Sequence, residues 1–322
     1  MHLDSLTPLI RQKGLGHDPI AFQKEINIVF HNHEAKRYDK IHKEMWESLP
    51  LQYELLINDL AFTHSKNLRL LDIGCGTGLS SDLLLRTKLG KSIESITLLD
   101  TSSKMLIKAV KRLRSWRKSV EIVEGTIGCL KGKFDIILIS SVLHHIPDYK
   151  SFLRELTYLQ EQNGILIIIH DPLRESIESK TYQYRCKEYQ SYYRKNHPNN
   201  NLILRIILKL KGLIFKDDYI GKVNKELITK GVISEPLTAT ELWSVTDIHV
   251  EGLPYSLNVG ISKSEMIEAL IDYQLLSFRT YAFYGALFSN LNEIFKKKEQ
   301  NLITSHDQYG RNLSSMWIRI SN

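Results

Sequence analysis

The chain has 322 residues, of which 43% are hydrophobic and 25% are charged, and its formal net charge is +7. This length and composition allow one large domain with an insertion, or two domains, each with an ample core. The three cysteines argue against a disulfide scaffold and fit a reducing compartment. We see no signal peptide and no membrane-spanning run, so we expect a cytoplasmic protein, whose positive charge permits an anionic partner without requiring one.

The N-terminal part, residues 1–66, is predicted to form a helical cap. Residues 1–25 contain several prolines and glycines and are predicted to be irregular, whereas residues 26–62 carry a helical pattern. His31 and His33 flank an asparagine. Two histidines without a third ligand nearby are weak evidence for a metal site, so we assign none.

A glycine-rich turn follows the first predicted strand. Residues 68–73 form a short apolar run, typical of a buried parallel strand, and Gly74, Gly76 and Gly78 come directly after it. A helix is predicted over 79–88. Glycines let the backbone approach a ligand closely, and the amides at a helix N-terminus favour negative charge. The turn is therefore a candidate ligand cradle.

The second predicted strand, residues 96–100, ends in Asp100, roughly 20 residues beyond the glycines. At this separation an acid can accept hydrogen bonds from both hydroxyls of a ribose. The glycines follow the pattern G-x-G-x-G rather than the dinucleotide pattern G-x-G-x-x-G. Asp72, directly before the turn, would repel a pyrophosphate but could accept a hydrogen bond from a cationic or amino-acid ligand. These features predict a ligand that contains a nucleoside.

Strands and helices alternate through residues 67–172. The further strands are predicted at 120–123, 134–140 and 164–170, and the further helices at 102–115 and 149–160. Strands separated by helices imply a parallel sheet with right-handed crossovers, and ligands of such sheets lie at the C-terminal ends of the strands.

The segment 173–260 is too long for a structureless loop, and we predict a helical cap there. In a predicted helix over 178–195, four residues share one face, either as core packing or as an aromatic pocket for an acceptor: Tyr182, Cys186, Tyr189 and Tyr193. The very apolar stretch 201–216 is predicted to be a helix that is buried or that lies on a membrane surface.

Residues 243–249 are predicted to be extended, with Asp247 and His249 on one side. These two side chains are candidates for contacts to an acceptor or, together with His170 and Asp171, for a metal site.

The C-terminal part, residues 261–322, is predicted to complete the core with a helix and two strands, 276–284 and 315–320. Phe283 and Tyr284 are candidates to face the acceptor pocket. The basic residues 296–298 are predicted to lie in a solvated loop.

The motifs together resemble the class I S-adenosylmethionine-dependent methyltransferases. The first motif of that family is matched by the segment Asp72-Ile73-Gly74-Cys75-Gly76-Thr77-Gly78, and the resemblance is strong over residues 68–172. It continues through Asp100, 134–138, 143–145 and 163–166. The resemblance implies a Rossmann-like α/β fold, with a doubly wound, mostly parallel seven-stranded sheet. It also implies methyl transfer from S-adenosylmethionine to an oxygen or nitrogen of a small molecule.

The resemblance extends to site residues. Those expected to hold the cofactor are Asp72, Gly74, Cys75, Gly76, Thr77, Gly78, Asp100, Thr101, Met105, Gly125, Thr126, Ile127, Ser140, Tyr38 and Arg37. Thr126 departs from the family, because many members have an acid there. The candidates for a base that deprotonates the acceptor are His145, His144 and His170, since histidine titrates near neutral pH.

Two other functions stay open on the sequence. The first is methylation of RNA or another nucleic acid, which rests on positive charge alone, because the fourth strand is not followed by the Asp/Asn-Pro-Pro-Tyr type of turn. The second is a non-catalytic module that binds the cofactor or a partner, for which only Thr126 argues.

Overall fold

A computed structural model describes residues 4–16, 18–60, 67–196 and 219–320. Within them, seven strands form one sheet in the order β3-β2-β1-β4-β5-β7-β6. The strands are β1 (Leu68–Ile73), β2 (Ile93–Asp100), β3 (Ser119–Glu124), β4 (Phe134–Ser140), β5 (Gln160–Pro172), β6 (Tyr273–Tyr281) and β7 (Asn312–Arg319). The first five strands pair in parallel, and β7 runs antiparallel between β5 and β6. The predicted Rossmann-like, mostly parallel seven-stranded sheet is confirmed.

Helices cover the sheet and extend beyond it. Before β1 lie α1 (Thr7–Lys13), α2 (Pro19–Glu34), α3 (Tyr38–Ile41) and α4 (Lys43–Asn58). Between the parallel strands lie α5 (Leu79–Leu85), α6 (Ser103–Leu113) and α7 (Tyr149–Leu159). After β5 come α8 (Arg174–Ile177), α9 (Lys180–Asn196), α10 (Tyr219–Thr229), α11 (Ala239–Thr246) and α12 (Lys263–Ala269), and α13 (Glu293–Thr304) precedes β7.

The prediction that residues 1–25 are irregular is wrong. Pro8 and Pro19 occupy the first turns of α1 and α2, where a missing N–H leaves no hydrogen bond unmade. The Asp18 side chain caps α2 by accepting hydrogen bonds from the amides of Ile20 and Ala21. These prolines therefore start helices rather than interrupt them.

Three predictions for the second half of the chain are also wrong. Residues 243–246 are the end of α11, which begins with a capping box between Thr238 and Glu241, so the segment 243–249 is not extended. The basic residues 296–298 lie within α13 and not in a loop. Strand β6 ends at Tyr281, so Phe283 and Tyr284 lie beyond it, in a buried cluster with Phe295 rather than at the cavity described below.

The hydrophobic core has a layer on each face of the sheet and a third cluster outside it. One layer packs α4, α5 and α6 against the sheet, and the other packs α7 and α12 against the opposite face. The third cluster joins α1 and α2 to α10 and α11. The N-terminal helices thus share a core with the segment that follows β5, although the division of the chain at 66, 172 and 260 stays a prediction.

The apolar stretch 201–216, predicted to be buried or membrane-facing, lies outside the described residues. Among the helices that the structure describes, none is both long enough and apolar enough to cross a membrane.

Gly78, which begins α5, gives a test of this packing. Its φ is +77°, and a Cβ there would lie 2.9 Å from the Cα of Ala109 in α6. Gly231 has a similar φ of +68°, but its Cβ would meet no atom within 4 Å in the described structure. We expect Gly231→Ala to lower the free energy of unfolding by about 1 kcal/mol through the backbone alone, and Gly78→Ala by roughly 3 kcal/mol, because α6 must also shift.

Urea unfolding of both variants measures this difference. Equal losses for the two variants would show that α5 and α6 do not pack at Gly78 as described.

Candidate active site

The glycine turn is tied to the end of the neighbouring strand. The amides of Gly74 and Cys75 both donate to the carbonyl oxygen of Leu99, at 2.8 and 3.0 Å. The amide of Gly76 donates to Oδ2 of Asp100 at 2.8 Å. Because Leu99 and Asp100 end β2, these three bonds fix the turn against the C-terminal edge of the sheet.

A cavity of about 350 Å³ opens at this edge. Its floor comes from the turns that follow β1, β2, β3 and β4, and α2 and α3 close it from above. Most predicted cofactor residues line it: Tyr38, Gly74, Cys75, Gly76, Thr77, Asp100, Thr101, Met105, Gly125, Thr126, Ile127 and Ser140.

The Asp100 carboxylate lies at this cavity, and only some of its lone pairs accept hydrogen bonds from the protein. Its Oδ2 accepts the Gly76 amide and its Oδ1 accepts the Ser102 amide, each at 2.8 Å. A carboxylate offers about four lone-pair positions, so these bonds leave part of its capacity for a ligand. Burial raises the pKa of Asp100 above its usual value, although the amides of Ser102, Gly76 and Thr101 and the charge of His31 oppose the rise. The group can therefore accept a further hydrogen bond from a hydroxyl of a ligand.

A polar network holds the N-terminal cap over the glycine turn. The Thr77 hydroxyl donates to Asp39 at 2.8 Å, and Arg112 donates to the other oxygen of Asp39 at 2.7 Å and to Thr77 at 3.1 Å. The Arg112 guanidinium also lies 4.2 Å from the ring centre of Trp46. Asp39 thus links α3 to the turn and to α6, which keeps Tyr38 at the cavity.

Helix α2 supplies a wall that the sequence analysis did not find. Five of its residues line the cavity: Ile20, Gln23, Lys24, Asn27 and His31. Their spacing of three, one, three and four places them on one helix face, a signal that was present in the sequence. The side-chain amide of Gln23 donates to the backbone oxygen of His145 at 2.9 Å, which connects this wall to the turn after β4.

The end of the cavity near β4 carries several ionisable groups. His145 lines the cavity, and its Nδ1 lies 2.8 Å from the carbonyl oxygen of Thr246 and 3.3 Å from Asp247 Oδ1. Burial, with the nearby His144 and His31, holds the pKa of His145 well below its usual 6.5. The ring is therefore neutral near pH 7.

Glu34 contacts two further histidines near this end of the cavity. It lies 3.2 Å from Nδ1 of His31 and 3.4 Å from Nε2 of His42. Burial favours the neutral acid, but the bonds to the two histidines outweigh it and lower the pKa of Glu34 to about 2. Burial acts against the charged form of His31, yet the contact with Glu34 leaves the pKa of His31 raised. Both shifts favour the charged forms, so the contact between Glu34 and His31 favours an ion pair.

Five of the predicted site residues lie away from the cavity wall. Gly78 packs on α6, Arg37 precedes α3, and His144 lies behind His145 with its Nδ1 2.7 Å from Asp171. His170 lies near the end of β5 and contacts the Tyr281 hydroxyl at 2.6 Å, and burial lowers its pKa to about 3. Asp72 is buried beneath the turn.

Helix α9 keeps its aromatic residues outside this cavity. Tyr189 packs edge-on against Phe295 of α13, with ring centres 4.9 Å apart, and neither it nor Tyr182 is among the lining residues. Asp247 and His249 contact different residues. Asp247 faces His145, whereas His249 packs on the ring of Tyr149.

Comparison with known proteins gives a family match, sequence relatives and similar solved structures. A family model described as a methyltransferase domain matches residues 64–220. The chain is 29% identical over 176 residues to a ubiquinone biosynthesis O-methyltransferase of Pelagibacter ubique, over 48% of this chain and 70% of the relative. A protein of the same name from Xanthomonas campestris is 33% identical over 106 residues, which are 31% of this chain and 41% of that relative. The chain therefore spans less than half the length of the second relative.

The solved structures that are similar to this chain include one of magnesium protoporphyrin IX methyltransferase from Synechocystis PCC 6803 with bound SAH. It is 13% identical, with a TM-score of 0.47 over 92% of this chain and 99% of that one.

Asp72 gives a pH-dependent test of the floor beneath the turn. Its Oδ2 accepts the Ser81 hydroxyl at 2.6 Å, and its Oδ1 has no hydrogen-bond partner among the described residues. Burial raises the pKa of Asp72 from 3.8 to about 7. The folded state therefore holds this proton more tightly than the unfolded state, and the stability due to Asp72 falls as pH rises between these two values.

We expect Asp72→Asn to remove this dependence of the unfolding free energy on pH. Relative to the variant, the wild type should lose on the order of 3 kcal/mol of unfolding free energy between about pH 4.5 and about pH 8. Urea unfolding at both pH values measures it. A constant difference between the two proteins would contradict a raised pKa of Asp72.

Proposed function

We infer that the chain is a class I, Rossmann-like S-adenosylmethionine-dependent methyltransferase, and we propose that it binds S-adenosylmethionine at the glycine turn and methylates an oxygen or nitrogen of a small molecule. The observation that carries the proposal is the position of Asp100 beside the glycine turn, at the wall of one cavity.

The residues at the turn fit this cofactor. Gly76 has a φ of +52°, and a Cβ there would meet no described atom within 4 Å, so the backbone is open towards the cavity. Asp100 can accept a further hydrogen bond from a hydroxyl, as the ribose of a nucleoside requires. The buried Ser140 hydroxyl, at the cavity wall, has no hydrogen-bond partner in the described part of the chain. This buried hydroxyl lies near that of Tyr53, and we propose that a polar ligand supplies the partner that it lacks.

Each part of the cavity has a proposed role. Asp100 binds the ribose hydroxyls, Met105 and the backbone at 125–127 contact the adenine, and Ser140 and Tyr38 face the methionine end. The bound cofactor supplies an electrophilic methyl group on a sulfonium sulfur. The protein then contributes alignment of the acceptor and exclusion of water, which are the main requirements of such a displacement.

His145 is the proposed contact to the acceptor. Its Nδ1 faces the Thr246 carbonyl oxygen at 2.8 Å, so a neutral ring carries its proton on Nδ1 and leaves the lone pair on Nε2. Nε2 can then take the proton that an acceptor hydroxyl loses when its oxygen is methylated. His144 and His170 lie off the cavity wall, so we do not assign them the role of the base.

A hydroxyl is the first acceptor to test. The relatives from Pelagibacter and Xanthomonas are named as O-methyltransferases of ubiquinone biosynthesis, which supports a small molecule and oxygen as the methylated atom. Methylation of nucleic acid, the alternative that rested on charge, is not favoured by these relatives.

Binding of the cofactor tests the first step. We expect Asp100→Ala to weaken the binding of S-adenosylmethionine roughly 30- to 150-fold, because hydrogen bonding to a charged group is lost. Titration calorimetry measures it. Glu124→Ala is the matched control, since Glu124 ends β3, is the sheet neighbour of Asp100 and is exposed.

Wild-type protein that binds neither S-adenosylmethionine nor its demethylated product would overturn the proposal. The melting temperature of Asp100→Ala shows whether the fold survives, because Asp100 also holds the glycine turn.

Turnover tests the second step. We expect His145→Gln to lower the rate of methyl transfer roughly 100-fold or more, with cofactor affinity changed less than about threefold, because His145 touches only the acceptor end. The measurement is transfer of labelled methyl to a panel of phenols, alcohols and amines. His33→Gln is the control, because His33 pairs with Glu226 away from the cavity. Full turnover by His145→Gln would exclude His145 from the reaction.

A further inference from the structure

Three side chains of types that bind metal ions lie close together beside the cavity, and they come from two distant parts of the chain. His144 and His145 lie in the turn after β4, and Asp247 follows α11. One ligand atom from each of the three lies within 4.8 Å of the other two. Oδ1 of Asp247 is 3.3 Å from His145 Nδ1 and 3.8 Å from His144 Nε2.

Asp171 sets the orientation of His144. This fully buried carboxylate lies 2.7 Å from Nδ1 of His144 and accepts the backbone amide of the same residue at 3.1 Å. The contact assigns a proton to Nδ1 and directs the lone pair of Nε2 towards Asp247. A lone pair and a carboxylate oxygen that face each other across 3.8 Å repel, and a cation or a hydrogen-bond donor between them removes the repulsion.

We propose that His144 Nε2, His145 Nδ1 and Asp247 Oδ1 bind one divalent transition-metal ion, with Zn²⁺ as the first candidate. Two ligand atoms about 2.1 Å from a tetrahedral Zn²⁺ are about 3.4 Å apart, close to both distances from Asp247. Two imidazoles and one carboxylate suit Zn²⁺, Fe²⁺ or Co²⁺ rather than Mg²⁺ or Ca²⁺, which take oxygen ligands. Asp171 then plays the part of the acid that orients a metal-bound histidine.

The site can receive a fourth ligand from the cavity. Three protein ligands leave a tetrahedral position open, and His145 belongs to the cavity wall. The Asp247 side chain is 32% exposed, so exchange with solvent is possible. An acceptor with a hydroxyl group could therefore coordinate the metal through its oxygen.

The consequence for catalysis rests on the proposed function, whereas metal binding does not. A hydroxyl bound to a divalent cation gives up its proton to solvent more readily, and the resulting oxygen forms its bond to the methyl carbon as the carbon–sulfur bond breaks. In that case His145 gives up the hydrogen bond from Nδ1 to the Thr246 carbonyl oxygen, acts as a ligand through Nδ1 and carries its proton on Nε2. Without the metal, His145 acts as the base described above.

Metal binding to the full chain tests the inference directly. Protein stripped with a chelator is titrated with Zn²⁺ in competition with a chromogenic chelator, and with Co²⁺ while its visible absorption is followed. We expect one equivalent of each ion to bind, Mg²⁺ not to compete, and Asp247→Asn to weaken Zn²⁺ binding at least tenfold. Asp171→Asn should weaken it 10- to 100-fold without removing a ligand.

Matched controls separate this site from other histidines and from misfolding. His33→Gln removes a histidine that lies 2.8 Å from Glu226, and it should bind Zn²⁺ like the wild type. Asp247→Asn changes a half-buried side chain by one atom, and its melting temperature without metal should stay near that of the wild type. Absence of stoichiometric Zn²⁺ binding, or equal binding by Asp247→Asn and the wild type, would overturn the proposal.

Calorimetry with S-adenosylmethionine on the chelator-treated protein keeps the two proposals apart. Cofactor binding without metal binding would contradict only the metal site, and metal binding without cofactor binding would contradict only the proposed function.

Discussion

The active-site end of this molecule depends on the attachment of the glycine turn to the end of β2. Three backbone amides, from Gly74, Cys75 and Gly76, donate to acceptors at Leu99 and Asp100. The turn can reach them because its three glycines all have positive φ, a conformation that is strained for other residues. The same bonds that fix the turn also hold Asp100 with its remaining lone pairs towards the cavity. The hydrogen bonds that position the glycine turn therefore also determine how Asp100 faces the cavity.

Much of the core could be predicted because its signals are local. Strands β1 and β4 begin and end where the apolar runs do, and the glycine spacing and Asp100 lie within one strand–helix–strand unit. Predictions failed where the same residue type fits two structures. Pro19 can break a helix or start one, and only the Asp18 cap and the packing of α2 decide. Likewise, a run of lysines fits a partly exposed helix face as well as a loop, and 296–298 lie on α13.

The acceptor end could be predicted only in part, because it is assembled by contacts distant in sequence. His145 was found through a local motif, but its neighbours come from elsewhere: Gln23 from α2, and Thr246 and Asp247 from the end of α11. No periodicity in the sequence links these segments. The cluster that joins α2 to α10 and α11 brings them together, and it forms only when the segment after β5 folds back on the N-terminal helices.

The concentration of buried charge at this end is hard to explain by stability alone. Burying an ion pair seldom stabilises a fold more than apolar packing would, yet Glu34 lies between two histidines and Asp171 lies against a third. Backbone strain is found there too, since Ser141 and His170 have positive φ directly beyond β4 and near the end of β5. The cofactor end, in contrast, is held by amides and glycines. A fold that holds Asp100 with backbone amides at one end of a cavity and gathers histidines at the other can bind a nucleoside and still handle the proton of an acceptor.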